Sequence, residues 1–372
     1  MDFSFTTEHD ELRQTVRRFM EKESTEQNVR KLMETDRGYD ARGWERMASE
    51  LSLLGLIVPE QYSGAGLGSV ELGIVMEEMG RVLFCGPYLS TAILATGAIL
   101  RGADEGTKSK LLPAISSGKS IATLAFVEKS GRWDTESIAM RATRDGATWK
   151  LDGVKDYVLD GHLADIVIVA ARTDNGLGLF LVEGGAPKLE RTALPTLDLT
   201  RKLGRLTFSG TPATLVSGNA DATPAMQHVL ALASAMLATE QVGGAQRCLE
   251  QSVEYAKTRL QFGRPIGSFQ AIKHKCADML VEIEFARSAA YNAAFCAADT
   301  DEKELATASH IARSYCSEAF FHAAAENIQI HGGMGFTWEH PAHLYFKRAR
   351  ASSMMFGDPI DHRQKLGASL GL

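Results

Sequence analysis

The sequence predicts a mainly α-helical α+β protein in three consecutive parts. Helical spacing of apolar residues runs through both ends of the chain, and a stretch rich in β-branched residues and turn signals interrupts it in the middle. We therefore expect an N-terminal α-helical domain at 1–117, a central antiparallel β-domain at 118–221 and a C-terminal four-helix bundle at 222–372.

The first part reads as helices joined by loops. Thr7 precedes Asp10 by three residues, a helix-start signal, and apolar positions then recur at helical spacing in ELRQTVRRFMEKE. The runs GWERMASELSLLGL and SVELGIVMEEMGRVL continue this pattern, with VPEQYSGAGLGS between them as a connecting loop. Because no strand precedes those glycines and no Lys follows them, they do not predict a phosphate-binding loop.

The middle part predicts short strands. Runs such as SIATLAFVEKS, DIVIVAAR and GLGLFLVEGG are separated by the turn signals RDG, LDG and DNG. After it the helical period returns in a segment longer than 30 residues that begins AMQHVLALASAM, and two more long helical runs follow. Long helices with short connections predict a bundle.

Composition and charge exclude several classes. Hydrophobic residues make up 45% of the chain, charged residues 23%, and the net charge is −6, so neither disorder nor a large basic nucleic-acid surface is indicated. Five scattered cysteines lack metal-ligand spacing, and the polar start of the chain does not read as a signal peptide. We expect a cytoplasmic protein with no metal, no nucleic-acid partner and no membrane segment.

Two loops of the last part concentrate polar, aromatic and glycine residues. The first is RLQFGRPIGSFQAIKH at 259–274, which concentrates polar residues such as Arg259 and Gln261 around Phe262 and Phe269 and could bind an anion. The second is QIHGGMGFTWEHP at 329–341, whose glycines permit close backbone approach. We expect Trp338, Glu339 and His340, at its end, to begin the next helix, and KRAR at 347–350 to form a solvated helix face.

Together with the α–β–α order, these loops resemble the signatures of the acyl-CoA dehydrogenase family, flavoenzymes that desaturate acyl-CoA thioesters. LGLIVPEQYSGAGLGSVELGIVMEEMGR resembles that family's N-terminal pattern, and LDGVKDYVLDG resembles its β-domain motif. The resemblance covers nearly the whole chain.

The resemblance implies a cofactor and an assembly. In such proteins FAD lies between the β-domain and the bundle of one subunit, and its adenine dinucleotide part is held by the two loops of a neighbouring subunit. This implies a homo- or hetero-tetramer built as a dimer of dimers, with an acyl-CoA substrate and an electron-transfer flavoprotein as acceptor. The residues that match the family's FAD donors are Arg259, Gln261, Phe262, Gln270, Gln329, Gly332 and Gly333.

The family's usual proton acceptor is missing from this sequence. Most members carry a Glu just before a Gly after the last signature helix, and that position is Phe356, followed by Gly357. A minority place the Glu on the helix before the first loop, where this chain has Ala233 and Ser234. Since a general base must accept a proton, none of these side chains can serve.

Two nearby carboxylates are weak candidates for the base. Glu240 lies seven residues after Ala233 on the same helix face, although we favour a structural partner for it, such as an Arg. Asp358 precedes a proline, which is typical of a turn former. The catalytic residue therefore stays unassigned.

The side of the site that faces the flavin ring also departs from the family. Val127 and Leu159 stand where the family usually has threonines, and Tyr157 stands where it has tryptophan. Tyr157 can still stack on a ring, whereas the two hydroxyl donors are lost.

Three functions remain open from the sequence. The chain is an FAD-dependent acyl-CoA dehydrogenase with an unusual base, or a non-catalytic subunit that donates cofactor contacts within a heteromeric acyl-CoA dehydrogenase, or a non-redox acyl-CoA lyase. The chain resembles the base-less subunits of actinobacterial two-gene enzymes, which act in steroid side-chain degradation. The acyl group, in fatty-acid or steroid side-chain β-oxidation, is not specified by the sequence.

Overall fold

The computed structural model describes residues 5–146, 148–218, 221–298 and 301–372. The α-helices are α1 (Thr7–Glu23), α2 (Glu26–Met33), α3 (Ala41–Ser49), α4 (Ser69–Arg81), α5 (Thr96–Gly102), α6 (Glu105–Ser116), α7 (Thr223–Thr258), α8 (Gln270–Cys296), α9 (Glu302–His331), α10 (Ala342–Met354) and α11 (Pro359–Ser369). The long helix predicted after the β-segment is α7, with 36 residues. The mainly helical fold class with a central sheet is confirmed.

The strands form one large sheet and one small hairpin. They are β1 (Ala122–Ala125), β2 (Ala142–Asp145), β3 (Thr148–Leu159), β4 (Ile166–Thr173), β5 (Gly176–Glu183), β6 (Leu189–Leu194), β7 (Leu203–Leu215), β8 (Leu260–Gln261) and β9 (Arg264–Pro265). The large sheet has the order β1-β4-β5-β7-β3-β2, with β6 also paired to β7. Because β1 pairs with β4 in parallel, the sheet is mixed, and the prediction of an antiparallel domain was wrong for this pair of strands. A parallel pair joins segments far apart in sequence, which local turn signals do not reveal.

Residue contacts group the chain into two compact units, each built from segments distant in sequence. One comprises the chain up to Arg30, Ser69–Phe84 and Ser234–Leu372, and the other comprises Lys31–Gly68 and Cys85–Ala233. The three sequential domains at 1–117, 118–221 and 222–372 therefore remain a prediction.

In the first unit, α9 packs against α8, α10 and α11. Helices α4 and α7 approach closely where both carry glycine, since a Cβ at Gly80 would collide with the carbonyl of Glu240 and a Cβ at Gly243 with the carbonyl of Glu77. These contacts fix the position of Glu240 on α7.

A buried charge cluster also holds the first unit together. The Glu77 carboxylate on α4 accepts from Arg13 on α1 at 2.5 Å and from Arg287 and Tyr291 on α8. Burial alone would raise the pKa of Glu77, but the two guanidinium groups outweigh it and lower the pKa. The cluster joins three helices through one ionised carboxylate.

The second unit contains the large sheet and helices α3, α5 and α6. The carboxylate of Asp160, at the end of β3, is buried and accepts a hydrogen bond from the Ser90 hydroxyl at 2.6 Å. Because burial disfavours the charged form, it raises the pKa of Asp160. The Thr91 hydroxyl donates to the carbonyl of Ala122 at 2.9 Å and so connects a π-helical turn at Leu89–Ala95 to strand β1.

Candidate cofactor-donating site

The first loop is a tight hairpin between two long helices. Strands β8 and β9 pair through Gln261 and Arg264, and the turn between them has left-handed backbone at Phe262 (φ +51°) and Gly263 (φ +74°). Two successive residues with positive φ form the turn type that suits a two-residue hairpin. The hairpin projects Phe262 outward, so that 90% of its surface is exposed.

The polar residues predicted in this loop are exposed as well. Arg259 and Gln261 lie on the surface, and so does Gln270, the first residue of α8. No side chain caps the N-terminus of α8 at Phe269. An Arg fork beside a helix N-terminus suits a phosphate group in charge and geometry.

The second loop follows directly from the end of α9. Gly332 has φ +60°, which favours glycine for backbone reasons, whereas Gly333 has an ordinary φ. A Cβ built on Gly333 would meet no atom of the chain within 4 Å. Gln329, Gly332 and Gly333 are all exposed. Packing inside the chain therefore does not require glycine at position 333. Close approach of an external group to the backbone would require it.

A ring stack brings the bases of the two loops together. Tyr255, near the end of α7, stacks on His331 at the end of α9, with ring centroids 4.3 Å apart and planes inclined by 29°. Since Tyr255 lies just before the first loop and His331 is the last residue of α9, the two loops leave neighbouring helix ends. The structure thus brings the starting points of the two loops close together.

The segment after the second loop differs from the prediction. We expected Trp338, Glu339 and His340 to begin a helix, but α10 begins at Ala342. The Nδ1 atom of His340 accepts from the backbone N–H of Ala342 at 3.2 Å. His340 therefore precedes the helix and satisfies one of its first N–H groups, a role that sequence spacing did not indicate.

At the position of the family's base, the chain buries a phenylalanine. Phe356 is only 3% exposed and has left-handed backbone, with φ +59°. The buried Arg313 guanidinium donates to the carbonyls of Ser352 and Met355 at 2.9 and 2.8 Å and so fixes the chain just before it. Ala233 and Ser234, the alternative positions, are also buried.

Both candidate carboxylates have structural partners. Glu240 is 3% exposed and accepts from Arg348 on α10 at 2.8 Å. The partner that we expected is thus an Arg, and it belongs to the KRAR segment, so the prediction of a solvated face for 347–350 was wrong at Arg348. Buried charges in proteins are normally paired, which is why the two side chains lie inside together.

Asp358 is the N-cap of α11. Its carboxylate accepts from the backbone N–H groups of Ile360 and Asp361 at 2.9 and 2.8 Å. Asp followed by Pro at the first helical position is a preferred helix start. Asp358 therefore has the turn-forming role that the sequence favoured.

The residues predicted to face a flavin ring lie in the second unit. Val127 and Leu159 are buried, and their carbonyls accept from the backbone of Asp156 and the hydroxyl of Thr123. Tyr157 differs, because it is 43% exposed and has φ +53°, an unfavourable backbone for a bulky residue. Strained residues of this kind concentrate at binding sites.

Comparison with known proteins identifies the family. The acyl-CoA dehydrogenase N-terminal domain matches residues 6–119, and the C-terminal domain of that family matches residues 223–369. The chain is 37% identical to acyl-CoA dehydrogenase IpdE2 of Mycobacterium tuberculosis over 95% of both chains. It also matches the ChsE4-ChsE5 complex of Mycobacterium tuberculosis (TM-score 0.89, 29% identity, 100% of this chain and 99% of that one) and a variant of the Tcur3481-Tcur3483 steroid ACAD (TM-score 0.86, 30% identity, 98% of both).

Other site types find less support. Within the described residues, no helix has the length and apolar character of a membrane span. Among the same residues, no group of three His, Cys, Asp or Glu side chains is arranged to hold a metal ion.

Two domain models of one family match this chain, and a named relative aligns with 95% of it. This chain belongs to the acyl-CoA dehydrogenase family.

Proposed function

We propose that this chain is the cofactor-donating subunit of a heteromeric, FAD-dependent acyl-CoA dehydrogenase. Its two loops hold the adenine dinucleotide part of an FAD that belongs to a sibling subunit. The sibling supplies the carboxylate that removes the α-proton of the acyl-CoA thioester. The two kinds of chain form a tetramer built as a dimer of dimers.

One asymmetry carries this proposal. All seven predicted donor residues are exposed on the chain, and Gly333 has open space around it. By contrast, Phe356 occupies the position of the base, Glu240 is paired with Arg348, and Asp358 caps a helix. A chain that had simply lost its activity would not be expected to keep one set of groups intact and lose the other.

The donor set fits the chemistry of a dinucleotide. The Arg259 guanidinium can donate in a planar fork to a diphosphate, and Gly332 and Gly333 leave their backbone N–H groups open to close approach. The exposed Phe262 ring offers a flat apolar surface to an adenine base. FAD, when bound, would supply the hydride acceptor of the reaction, while this chain binds and orients its nucleotide end.

The relatives are consistent with two-chain assembly and steroid substrates. The ChsE4-ChsE5 structure is a complex of two named proteins, and the Tcur3481-Tcur3483 structure carries the description steroid ACAD. We propose by analogy that the substrate is an acyl-CoA of fatty-acid or steroid side-chain β-oxidation and that an electron-transfer flavoprotein accepts the electrons.

A second candidate is a dehydrogenase that is active on its own. The observation in its favour is Tyr157, whose exposed ring on a strained backbone keeps the stacking surface that a bound flavin ring would use. This candidate requires a base other than Glu240 and Asp358 in their observed roles.

Co-expression distinguishes the two candidates. The sibling should be an acyl-CoA dehydrogenase chain of the same genome with Glu at the position that matches Phe356. Expressed alone, this chain should purify with little visible flavin absorbance, and the co-expressed pair should bind FAD and reduce it with acyl-CoA. Stoichiometric flavin and acyl-CoA-dependent bleaching in the isolated chain would contradict the proposal.

Substitution of Phe356 tests the same point. The isolated Phe356→Glu variant should gain no dehydrogenase activity, because a carboxylate alone does not restore the flavin side of the site. Phe356→Gln is the matched control for the change in shape and polarity. If Phe356→Glu but not Phe356→Gln became active, the chain would have a working flavin site, and the second candidate would be correct.

A further inference from the structure

Two histidine rings close the base of the second loop. His331 ends α9 immediately before Gly332, and His340 follows Trp338 shortly before α10 begins. Their ring centroids lie 4.2 Å apart, and Tyr255 also stacks on His331. The segment that carries Gly332 and Gly333 is therefore a loop whose two ends meet at one imidazole pair.

The hydrogen bonds of the two rings differ in what they require. The Nδ1 atom of His331 donates to the carbonyl of Asn327 at 2.8 Å, a contact that raises the pKa of His331 against the larger lowering by burial. The Nδ1 atom of His340 accepts from the N–H of Ala342, so this nitrogen carries no proton. A proton on His340 Nδ1 would remove that acceptor and place positive charge at the N-terminus of α10, which the helix dipole disfavours.

The charges around the pair oppose further protonation. From α2, Arg30 donates to the carbonyls of Trp338 and Glu339 at 2.8 and 3.1 Å and lowers the pKa of His340, whereas Glu26 raises it. From α10, His343 stacks on Trp338 at 4.6 Å, and the Lys347 ammonium lies 4.4 Å from the same ring. From α7, the ring that faces the pair is that of Tyr255, which stacks on His331.

We propose that His331 and His340 are positioning residues that hold the 332–339 loop in its cofactor-binding shape only while both rings are neutral. Protonation of either ring separates the pair and opens the loop at its base. The inference rests on the proposed function in one respect, namely that this loop contacts a partner's FAD.

The direction of the pH effect follows from burial. Burial is the largest cause that lowers the pKa of His331 and of His340 below the ordinary histidine value, and for His340 the neighbouring His331 adds to it. A base whose pKa is lowered in the folded state stabilises the fold fully above its unfolded-state pKa, near 6.5, and loses that contribution as pH falls through the folded-state pKa. The loop should therefore be closed at neutral pH and open in mild acid.

Hydrogen exchange of the loop tests the inference without any cofactor. Peptides that cover 329–341 are followed in the isolated chain from pH 7.5 to 5.0, and protection is corrected for intrinsic exchange at each pH. Protection should fall by about tenfold or more as the pH decreases, because the open loop binds protons that the closed loop excludes. Protection that stays constant over this range would overturn the inference.

Matched variants separate proton binding from shape. His340→Asn keeps an acceptor for the Ala342 N–H, and His331→Asn keeps a donor for the Asn327 carbonyl, but neither new side chain titrates. The double variant should keep its loop protection at pH 5.0. His322→Asn, on α9 beside Glu282, should behave like wild type. Loss of protection in the double variant at all pH values would show that the rings serve only the shape of the loop.

FAD retention by the co-expressed pair provides the link to function. Wild type should release FAD as pH falls over the same range in which the loop loses protection, and the double variant should retain it. A pair that binds no FAD at any pH would contradict the proposed function and leave the exchange result to decide on the histidines. FAD release in acid that the double variant does not suppress would contradict the inference alone.

Discussion

A substitution at Gly333 can test FAD binding by the proposed complex separately from the folding stability of this chain. Its φ is ordinary, and a Cβ there meets no atom within 4 Å, so a side chain at 333 should neither strain the backbone nor clash. Surface substitutions of this kind usually change the free energy of unfolding by about 0.5 kcal/mol or less. We therefore expect Gly333→Leu to fold as well as wild type.

The same substitution should weaken FAD binding in the complex with the sibling. A leucine side chain would keep a diphosphate from the backbone N–H groups, and each hydrogen bond to a charged group contributes about 1.5–3 kcal/mol. At about 1.4 kcal/mol per factor of ten, the loss of one such bond raises the Kd about tenfold to a hundredfold.

Two measurements on the same preparations complete this test. Urea unfolding of the isolated chain reports stability, and titration of the apo complex with FAD reports affinity. Gly367→Leu on α11 is the matched control, because a Cβ there also meets no atom within 4 Å. The reasoning is refuted if Gly333→Leu and Gly367→Leu bind FAD equally well, or if Gly333→Leu unfolds about 2 kcal/mol more easily than wild type.

Three further predictions concern buried carboxyl groups. Glu240→Gln leaves the Arg348 charge buried without its carboxylate. It should lower the free energy of unfolding, measured in urea, by about 3–5 kcal/mol. A decrease below about 1 kcal/mol would show that the ion pair does not stabilise the fold. The pKa of Glu77 is lowered because Arg287 and a second guanidinium outweigh burial, so stability should be full above the ordinary carboxyl pKa and decrease as pH falls through the lower folded-state value. Glu77→Gln should flatten that pH dependence, and an unchanged slope would contradict the assignment. Burial raises the pKa of Asp160, so its contribution is full in acid and lost as pH rises through the folded-state value. Asp160→Asn should stabilise the chain at pH 7 by about 1 kcal/mol in thermal unfolding, and destabilisation would show that the charged form is favoured.

Local patterns predicted the elements of this fold well. Apolar spacing in the segment that begins at Ala225 predicted the long helix α7, and turn signals predicted short strands in the region between Ala122 and Leu215. Such patterns depend on neighbours in the sequence, so the sequence contains them directly. The parallel pairing of β1 with β4 depends on distant segments, and it was missed.

Partners of buried groups were harder to predict than elements. An arginine partner for Glu240 was expected, but Arg348 looked like part of a solvated basic run, because its burial depends on how α10 packs and not on its neighbours in sequence. His340 was assigned to a helix for the same reason. Only the structure shows that its Nδ1 atom accepts a hydrogen bond from the Ala342 N–H. The resemblance to a family supplied the predicted donor residues, and their exposure and the open space at Gly333 came from the structure.

The most direct test asks whether a change in this chain removes FAD from another chain. Arg259→Ala, on the exposed first loop, should leave the fold of the isolated chain unchanged and strip most FAD from the complex with the Glu-bearing sibling. FAD content per complex, measured from the visible spectrum, is the readout, with Arg363→Ala on α11 as the control for loss of a surface arginine. Retention of full FAD by the Arg259→Ala complex, or an isolated wild-type chain that binds FAD and oxidises acyl-CoA by itself, would contradict the account.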